Sequence, residues 1–153
     1  TDSADLYEKL FYNLNTTGAV LSPFDSYQLI RGLKTLSLRM ERSTANAQEI
    51  VSFLEQSPAV KEVLYTGRGG MISFKVADEK RIPHILNTLK VFSFAESLGG
   101  VESLITYPTT QTHADIPAEV RHSYGLTDDL LRLSIGIEDA RDLIEDLRQA
   151  LEG

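Results

Sequence analysis

Residues 130–137 read Leu130-Leu131-Arg132-Leu133-Ser134-Ile135-Gly136-Ile137 and carry the clearest strand pattern in the chain. Successive side chains of a strand point to opposite faces of a sheet, so alternate positions share a face. One face of this strand is apolar throughout, formed by Leu131, Leu133, Ile135 and Ile137. The other face carries Arg132 beside the small residues Ser134 and Gly136. The strand is therefore predicted to bury one face and to hold a cation in a fixed place on the other.

Segments with regular spacing surround this strand in the sequence. Three more stretches have β character, namely residues 60–65, 71–76 and 101–107. Apolar residues recur at helical spacing in residues 5–14, 22–56, 79–92, 118–122 and 138–151. Since hairpins and single helices connect the strands, the pattern predicts an α+β fold with two layers. Helices would cover one side of a mainly antiparallel four-stranded sheet.

The longest helical pattern starts at Ser22-Pro23, where a capping hydroxyl precedes a proline suited to the first helical position. If it continued unbroken to residue 56, the helix would be roughly 50 Å long at 1.5 Å per residue, which is longer than a small domain is wide. We therefore expect a bend or a break, with Gly32 and Ser43-Thr44 as candidates, or a helix that bridges two domains.

Composition excludes several classes of function. The chain has 153 residues, no cysteine and a net charge of -7. Disulfides, cysteine-based zinc sites and a thiol nucleophile are therefore excluded, and the acidity argues against nucleic-acid binding. No apolar run reaches the roughly 18 to 20 residues that span a bilayer, and the acidic N-terminus is unlike a signal peptide, so we expect no membrane association and a cytoplasmic location.

Two glycine-containing stretches are candidate ligand sites. Thr66-Gly67-Arg68-Gly69-Gly70 precedes an alternating strand instead of a helix, so it is interpreted as a hairpin connection and not as a phosphate-binding loop. Residues 95–104 read Ala95-Glu96-Ser97-Leu98-Gly99-Gly100-Val101-Glu102-Ser103-Leu104 and combine an acid, a hydroxyl and two glycines before a predicted strand. From the residues alone this second stretch is either a simple turn or the wall of a small polar site.

Runs of sequence throughout the chain closely resemble the C-terminal part of the cystathionine synthase and lyase family. These enzymes of transsulfuration depend on pyridoxal phosphate (PLP) and have the aspartate-aminotransferase-like fold, known as fold type I. The runs that carry the resemblance are residues 18–27, 31–36, 39–42, 70–74, 95–105, 112–114 and 133–138.

The resemblance implies a division of the chain into three parts. Residues 1–20 would be a remnant of the large PLP-binding domain, residues 21–56 the bridging helix, and residues 57–153 the small C-terminal α+β domain. It also implies a cytoplasmic homotetramer that acts on cystathionine, homocysteine or related sulfur amino acids by β- or γ-elimination or replacement.

By match to the family motifs, five residues would bind the substrate. Arg132 would grip the α-carboxylate, with Thr112 supporting it from behind. Ser97 would lie beside that carboxylate and the cofactor-binding lysine, and Leu98 would offer a main-chain contact. Glu96 stands at the position associated with substrate choice; an acid there is more similar to the γ-synthases and γ-lyases than to the enteric β-lyases.

The family's cofactor-binding lysine lies in a Ser-x-Thr-Lys segment followed by Gly-Gly-His, and neither motif occurs in this chain. We therefore expect no catalytic residue and no bound PLP in the chain itself, with both supplied by the missing large domain of a full-length parent. The chain alone is predicted to be inactive. The alternative is a free-standing α+β module that binds an amino acid through Arg132 and the turn at Ser97.

Overall fold

The computed structural model describes all residues from 1 to 153, and the chain divides into two compact units, residues 1–37 and residues 38–153. The first unit holds α1 (Ala4–Thr17) and α2 (Pro23–Leu33). Each helix starts at a capping serine, Ser3 or Ser22, whose hydroxyl accepts a backbone N–H from the first turn. No residue of this unit is buried, and its large apolar side chains are exposed.

The predicted long helix is interrupted. Helix α2 ends at Leu33, and α3 (Leu36–Gln56) follows after a two-residue turn. The interruption lies next to Gly32, whereas the helix continues unbroken through Ser43 and Thr44, so that second candidate position is wrong. The Thr44 hydroxyl accepts the backbone N–H of Gly69 at 3.1 Å, which gives this side chain a tertiary partner without disturbing the helix.

The second unit contains α3 and the sheet. Its remaining elements are β1 (Val60–Leu64), β2 (Met71–Val76), a 3-10 turn (Glu79–Arg81), α4 (Ile82–Thr88), β3 (Ser93–Phe94), β4 (Leu104–Thr106), α5 (Ala118–Ser123), β5 (Leu130–Ser134) and α6 (Ala140–Glu152). The strand order is β1-β2-β5-β4-β3, so β5, the strand that carries Arg132, lies in the centre of the sheet.

The sheet has five strands and is mixed, which corrects the prediction of four mainly antiparallel strands. The additional strand is β3, which has two residues and runs parallel to β4. The buried carboxylate of Asp146 on α6 accepts the backbone N–H groups of Lys90, Val91 and Phe92 at 2.8 to 3.0 Å and so fixes the path of the chain into β3. A strand created by such a tertiary contact leaves no periodicity in the sequence.

Strands β4 and β5 are both shorter than predicted. Strand β4 includes only Leu104–Thr106 of the predicted 101–107, and β5 ends at Ser134. Beyond these ends the backbone N–H of Ile137 donates to the Val101 carbonyl oxygen at 2.9 Å, outside the regular ladder. Ile137 is also 39% exposed, so its predicted place on the buried face is wrong.

The hydrophobic core lies on one face of the sheet, beneath helices of the second unit. The buried cluster combines inward residues of β2 and β5 with residues of α3, α4 and α6: Ile72, Phe74, Val76, Leu131, Leu133, Ile135, Ala47, Ile50, Leu54, Ile82, Ile85, Leu143, Leu147 and Leu151. The opposite face of β5, which carries Arg132, is therefore left for other contacts. No helix of the chain is long and apolar enough to cross a membrane.

Asp139 caps α6 and should make stability depend on acid pH. Hydrogen bonds from the Arg141 guanidinium, and then from its backbone N–H, lower the pKa of the Asp139 carboxyl from 3.8 to about 2. Its stabilising contribution is then complete above pH 3.8 and is lost as the pH falls through the folded-state pKa. We expect Asp139→Asn to lower the thermal midpoint at pH 7 and the difference from wild type to vanish near pH 2 in a pH series of melting curves. A difference that stays constant with pH would contradict this assignment.

Gly136 should not tolerate any side chain. A Cβ atom at this position would overlap the carbonyl oxygen of Val101 and lie 2.7 Å from the carbonyl carbon of Glu102. We expect Gly136→Ala to reduce the free energy of unfolding by about 2 to 3 kcal/mol, as measured by urea denaturation. Gly32→Ala is the control, since a Cβ there meets nothing within 4 Å, and this change in a helix should be neutral or stabilising. Equal effects of the two substitutions would reject the steric explanation.

Candidate functional site

Arg132 projects from the central strand on the face away from the core. Its neighbours across the sheet are Ser73 of β2 and Thr106 of β4. One terminal nitrogen of the guanidinium donates to the Thr106 hydroxyl at 3.3 Å, whereas the Nε atom is buried and has no hydrogen-bond partner. Buried donors are almost always paired in folded proteins. The arginine therefore retains an unpaired donor, and its side chain as a whole is only half-buried.

Thr106 connects this arginine to the stretch that precedes β4. Its side chain is almost fully buried, and its hydroxyl donates to the Ala95 carbonyl oxygen at 2.8 Å while accepting from Arg132. The backbone N–H of Ala95 in turn donates to the carbonyl of Ile105 at 3.1 Å. The guanidinium and the start of the 95–104 stretch are thus held by the same hydroxyl.

The stretch that carries Glu96, Ser97 and Leu98 is attached to the sheet at both ends. Beyond Leu98, the backbone N–H of Gly99 donates to the Ser134 hydroxyl at 2.9 Å, on the same strand face as Arg132. The positive φ of Gly99, 76°, favours glycine at this bend. Between the attachments all three residues are exposed, and the side chains of Glu96 and Ser97 form no hydrogen bond or ion pair within the chain. The structure therefore places four of the five predicted site residues, Arg132 included, around one face of the sheet.

Thr112 is the exception among the predicted site residues. It is exposed and its hydroxyl pairs with the ring Nδ1 of His113 at 2.7 Å, not with Arg132. The contact to Arg132 comes from Thr106, a residue that the sequence analysis did not single out. A hydroxyl at the end of a predicted strand was visible in the sequence, but its position opposite Arg132 depends on strand register, which the sequence does not reveal.

A cavity of about 280 Å³ adjoins the 95–104 stretch in the second unit. Leu98, Gly99, Gly100 and Ser134 form one part of its wall, and Arg39 and Arg68 supply positive charge. From the sequence, Arg68 is expected only in a hairpin connection, and neither arginine is a predicted site residue. Their convergence is a tertiary effect, because the chain brings α3 and the β1–β2 connection to the same side of the sheet.

The lysines of the chain do not fit the role of a cofactor-binding lysine. Such a lysine must lose its proton readily, which burial or a neighbouring cation promotes. Here Lys75 donates to Glu62 at 2.7 Å, and this bond raises the pKa of its ammonium group. Lys9 and Lys61 are exposed and paired with aspartates, and Lys34, Lys80 and Lys90 are exposed as well. The chain also has no cluster of three His, Cys, Asp or Glu residues that could hold a metal ion.

Known proteins resemble this chain over nearly its whole length. A family model described as Cys/Met metabolism PLP-dependent enzyme matches residues 1–152. A cystathionine gamma-synthase/O-acetylhomoserine (thiol)-lyase of Bacillus subtilis is 57% identical over 95% of the chain, and a cystathionine gamma-lyase of the same organism is 50% identical over 99%. These matches cover 39% and 44% of the respective relatives, so the chain spans about two fifths of their length.

Solved structures show the same relationship. A cystathionine gamma-lyase from Micromonospora echinospora superposes with a TM-score of 0.92 at 36% identity, over 99% of this chain and 44% of that one. A cystathionine gamma-synthase from Xanthomonas oryzae pv. oryzae, in complex with aminoacrylate and cysteine, gives 0.89 at 40% identity over 98% and 43%. The match of the family model over nearly the whole chain agrees with the likeness of the fold and with the resemblance in the sequence motifs. The chain therefore belongs to the family of Cys/Met metabolism PLP-dependent enzymes.

Proposed function

We propose that this chain provides the substrate-carboxylate-binding part of a PLP-dependent transsulfuration enzyme, a cystathionine γ-synthase or a cystathionine β- or γ-lyase. The observation that carries the proposal is the state of Arg132, whose buried Nε has no partner while one terminal nitrogen is held by Thr106. A planar guanidinium fixed in this way pairs with a carboxylate through two parallel hydrogen bonds. Every amino-acid substrate of this class carries such a carboxylate.

The energetic argument favours a ligand over a purely structural role for Arg132. Leaving a buried polar donor unpaired costs about 1 to 3 kcal/mol, and more when the group is charged. Nε is enclosed in this conformation, so a carboxylate would pair with it after a small shift of the half-buried side chain; that contact would remove this cost and add charge-assisted hydrogen bonds. Binding of a carboxylate would therefore be favoured, because it would give the unpaired donor of Arg132 a partner.

The stretch beside Arg132 completes the proposed site. Ser97 and the main chain of Leu98 would contact the substrate near its carboxylate, and Glu96 would contribute to the choice among substrates. Their exposure and their attachment to the sheet through Thr106 and Ser134 support these roles. Thr106, not Thr112, is the better-placed support for Arg132.

The cofactor would be held by the part of the parent enzyme that this chain does not contain. When bound, PLP stabilises the carbanion that forms at the α-carbon of an amino acid. The lysines of this chain are exposed or ion-paired and do not fit the cofactor. The chain matches about two fifths of the length of its relatives, so the cofactor-binding lysine would lie in the remaining part of a parent enzyme of that length.

The isolated chain should therefore be inactive. With added PLP and cystathionine we expect neither the visible absorbance of lysine-bound cofactor nor release of a thiol, because the chain lacks a lysine in a suitable environment. Absorbance spectra and a thiol assay measure both. The parent enzyme is the positive control, and thiol release by the purified chain would overturn this part of the proposal. Tight binding of an amino acid by the chain alone would instead favour the free-standing binding module.

Arg132 is tested in the parent enzyme. We expect Arg132→Ala to lower kcat/KM by about a hundredfold or more, mainly through KM, since a buried bidentate contact to the carboxylate is lost. Arg132→Lys retains the charge but not the planar fork and should recover only part of the loss. Arg141→Ala is the matched control, because the Arg141 side chain is 87% exposed and pairs only with Asp139. Steady-state kinetics that show unchanged kcat/KM for Arg132→Ala would reject the assignment.

A further inference from the structure

A second polar cluster includes the end of the 95–104 stretch and does not involve the exposed residues Glu96 and Ser97. It consists of Asn46 on α3, Ser103 before β4, and Gly136 and Glu138 between β5 and α6. We call these four residues the polar clamp. They are separated by up to 92 residues in sequence, so the clamp joins three distant parts of the second unit.

Ser103 is the centre of the clamp and is fully buried. Its backbone N–H donates to one carboxylate oxygen of Glu138 at 2.6 Å, and its hydroxyl donates to the other at 2.9 Å. The same hydroxyl accepts the backbone N–H of Gly136 at 2.9 Å. Both oxygens of one carboxylate are thus directed at a single residue. Hydrogen bonds to an ionised acceptor are roughly twice as strong as neutral ones.

Asn46 holds the other side of the clamp. Its side-chain amide donates to the carbonyl oxygens of Gly136 at 3.2 Å and Glu138 at 2.9 Å, and Asn46 is itself 1% exposed. Arg42, one turn earlier on α3, donates to the same Glu138 carbonyl at 3.2 Å. The main chain that presents the Glu138 carboxylate is therefore anchored to a helix of the core, and the carboxylate has little freedom to follow Ser103 if the stretch moves.

The consequence for the site follows from the path of the chain. Residues 95–103 contain no helix or strand, and they include Gly99 and Gly100. Their position depends on the contacts of Ala95 with β4, of Gly99 with Ser134, of the Val101 carbonyl with the Ile137 N–H, and of Ser103 with Glu138 and Gly136. Removal of the Ser103 bonds to Glu138 and Gly136 would leave this segment held to its neighbours only by backbone N–H or C=O groups of Ala95, Gly99, Val101 and Ser103 and by the Thr106 bond to the Ala95 carbonyl.

We propose that Glu138 is a positioning residue, which acts through Ser103 to fix the stretch bearing Glu96, Ser97 and Leu98 against Arg132. This inference rests on the proposed function of that stretch. Glu138 does not touch the proposed substrate position; it sets the geometry of residues that do.

The test is Glu138→Gln in the full-length enzyme that contains the chain. Glutamine preserves the shape but turns an N–H₂ group toward the Ser103 hydroxyl, which then loses the acceptor for its proton. We expect backbone amide hydrogen exchange in residues 96–103 to accelerate at least tenfold, and kcat/KM with cystathionine to fall about tenfold, mainly through KM. Glu145→Gln is the control, since Glu145 lies on α6, is 69% exposed and pairs with Arg148.

Ser103→Ala provides a second variant in case Glu138→Gln does not fold. It removes the hydroxyl bridge to Gly136 and Glu138 but leaves the backbone N–H bond in place, so we expect a smaller change in the same direction. A lower melting temperature with unchanged KM and unchanged exchange in residues 96–103 would show that the clamp only stabilises the fold, and would overturn the inference.

The two proposals fail in distinguishable ways. If the wild-type enzyme neither forms nor cleaves cystathionine, or if Arg132→Ala is fully active, the proposed function fails. Hydrogen exchange without substrate or cofactor still measures what Glu138 does to the stretch, and unchanged exchange rejects the clamp. If Arg132→Ala loses activity while Glu138→Gln retains wild-type KM, the proposed function stands and the inference about Glu138 is wrong.

Discussion

The paired hydrogen bonds between Ser103 and the Glu138 carboxylate are the contact on which the arrangement of the second unit depends most. They connect the segment before β4 to the segment before α6 at the fully buried Ser103, whose hydroxyl and N–H would be costly to leave unpaired. Gly136 permits the contact, since any side chain there would overlap the Val101 carbonyl. Where β4 and β5 leave the regular ladder, the Ser103 N–H turns to the Glu138 carboxylate and the Val101 carbonyl accepts the Ile137 N–H.

Arg132 is held in place by contacts on both faces of its strand. Its strand is fixed from one side by the core, through Leu131 and Leu133, and its guanidinium is oriented from the other side by Thr106. The Thr106 hydroxyl also bonds to Ala95, so a shift of the 95–104 stretch would change the position of the hydroxyl that orients the Arg132 guanidinium. The proposed carboxylate position is therefore set jointly by the core, by Arg132 and by the 95–104 stretch.

The two units of the chain differ in how their apolar residues are covered. In residues 38–153 the apolar residues of α3, α4 and α6 pack with the sheet into one cluster, whereas no residue of 1–37 is buried. In α1, Leu6, Leu10 and Phe11 are 46 to 57% exposed although they recur at helical spacing. This amphipathic pattern is typical of a helix with a packing partner. It agrees with a chain that spans about two fifths of its relatives.

The sequence by itself determined the local features of this protein. Alternation identified the core faces of β2 and β5, Ser22 and Pro23 located the start of α2, and family motifs identified the family and predicted that Arg132 and the 95–104 stretch share one site. These features depend on neighbours in sequence, which is why the sequence reveals them. The fifth strand, the Thr106 contact and the polar clamp were decided only by the tertiary structure. Each depends on strand register or on a hydrogen bond between residues such as Ser103 and Glu138, 35 positions apart, for which no local spacing exists.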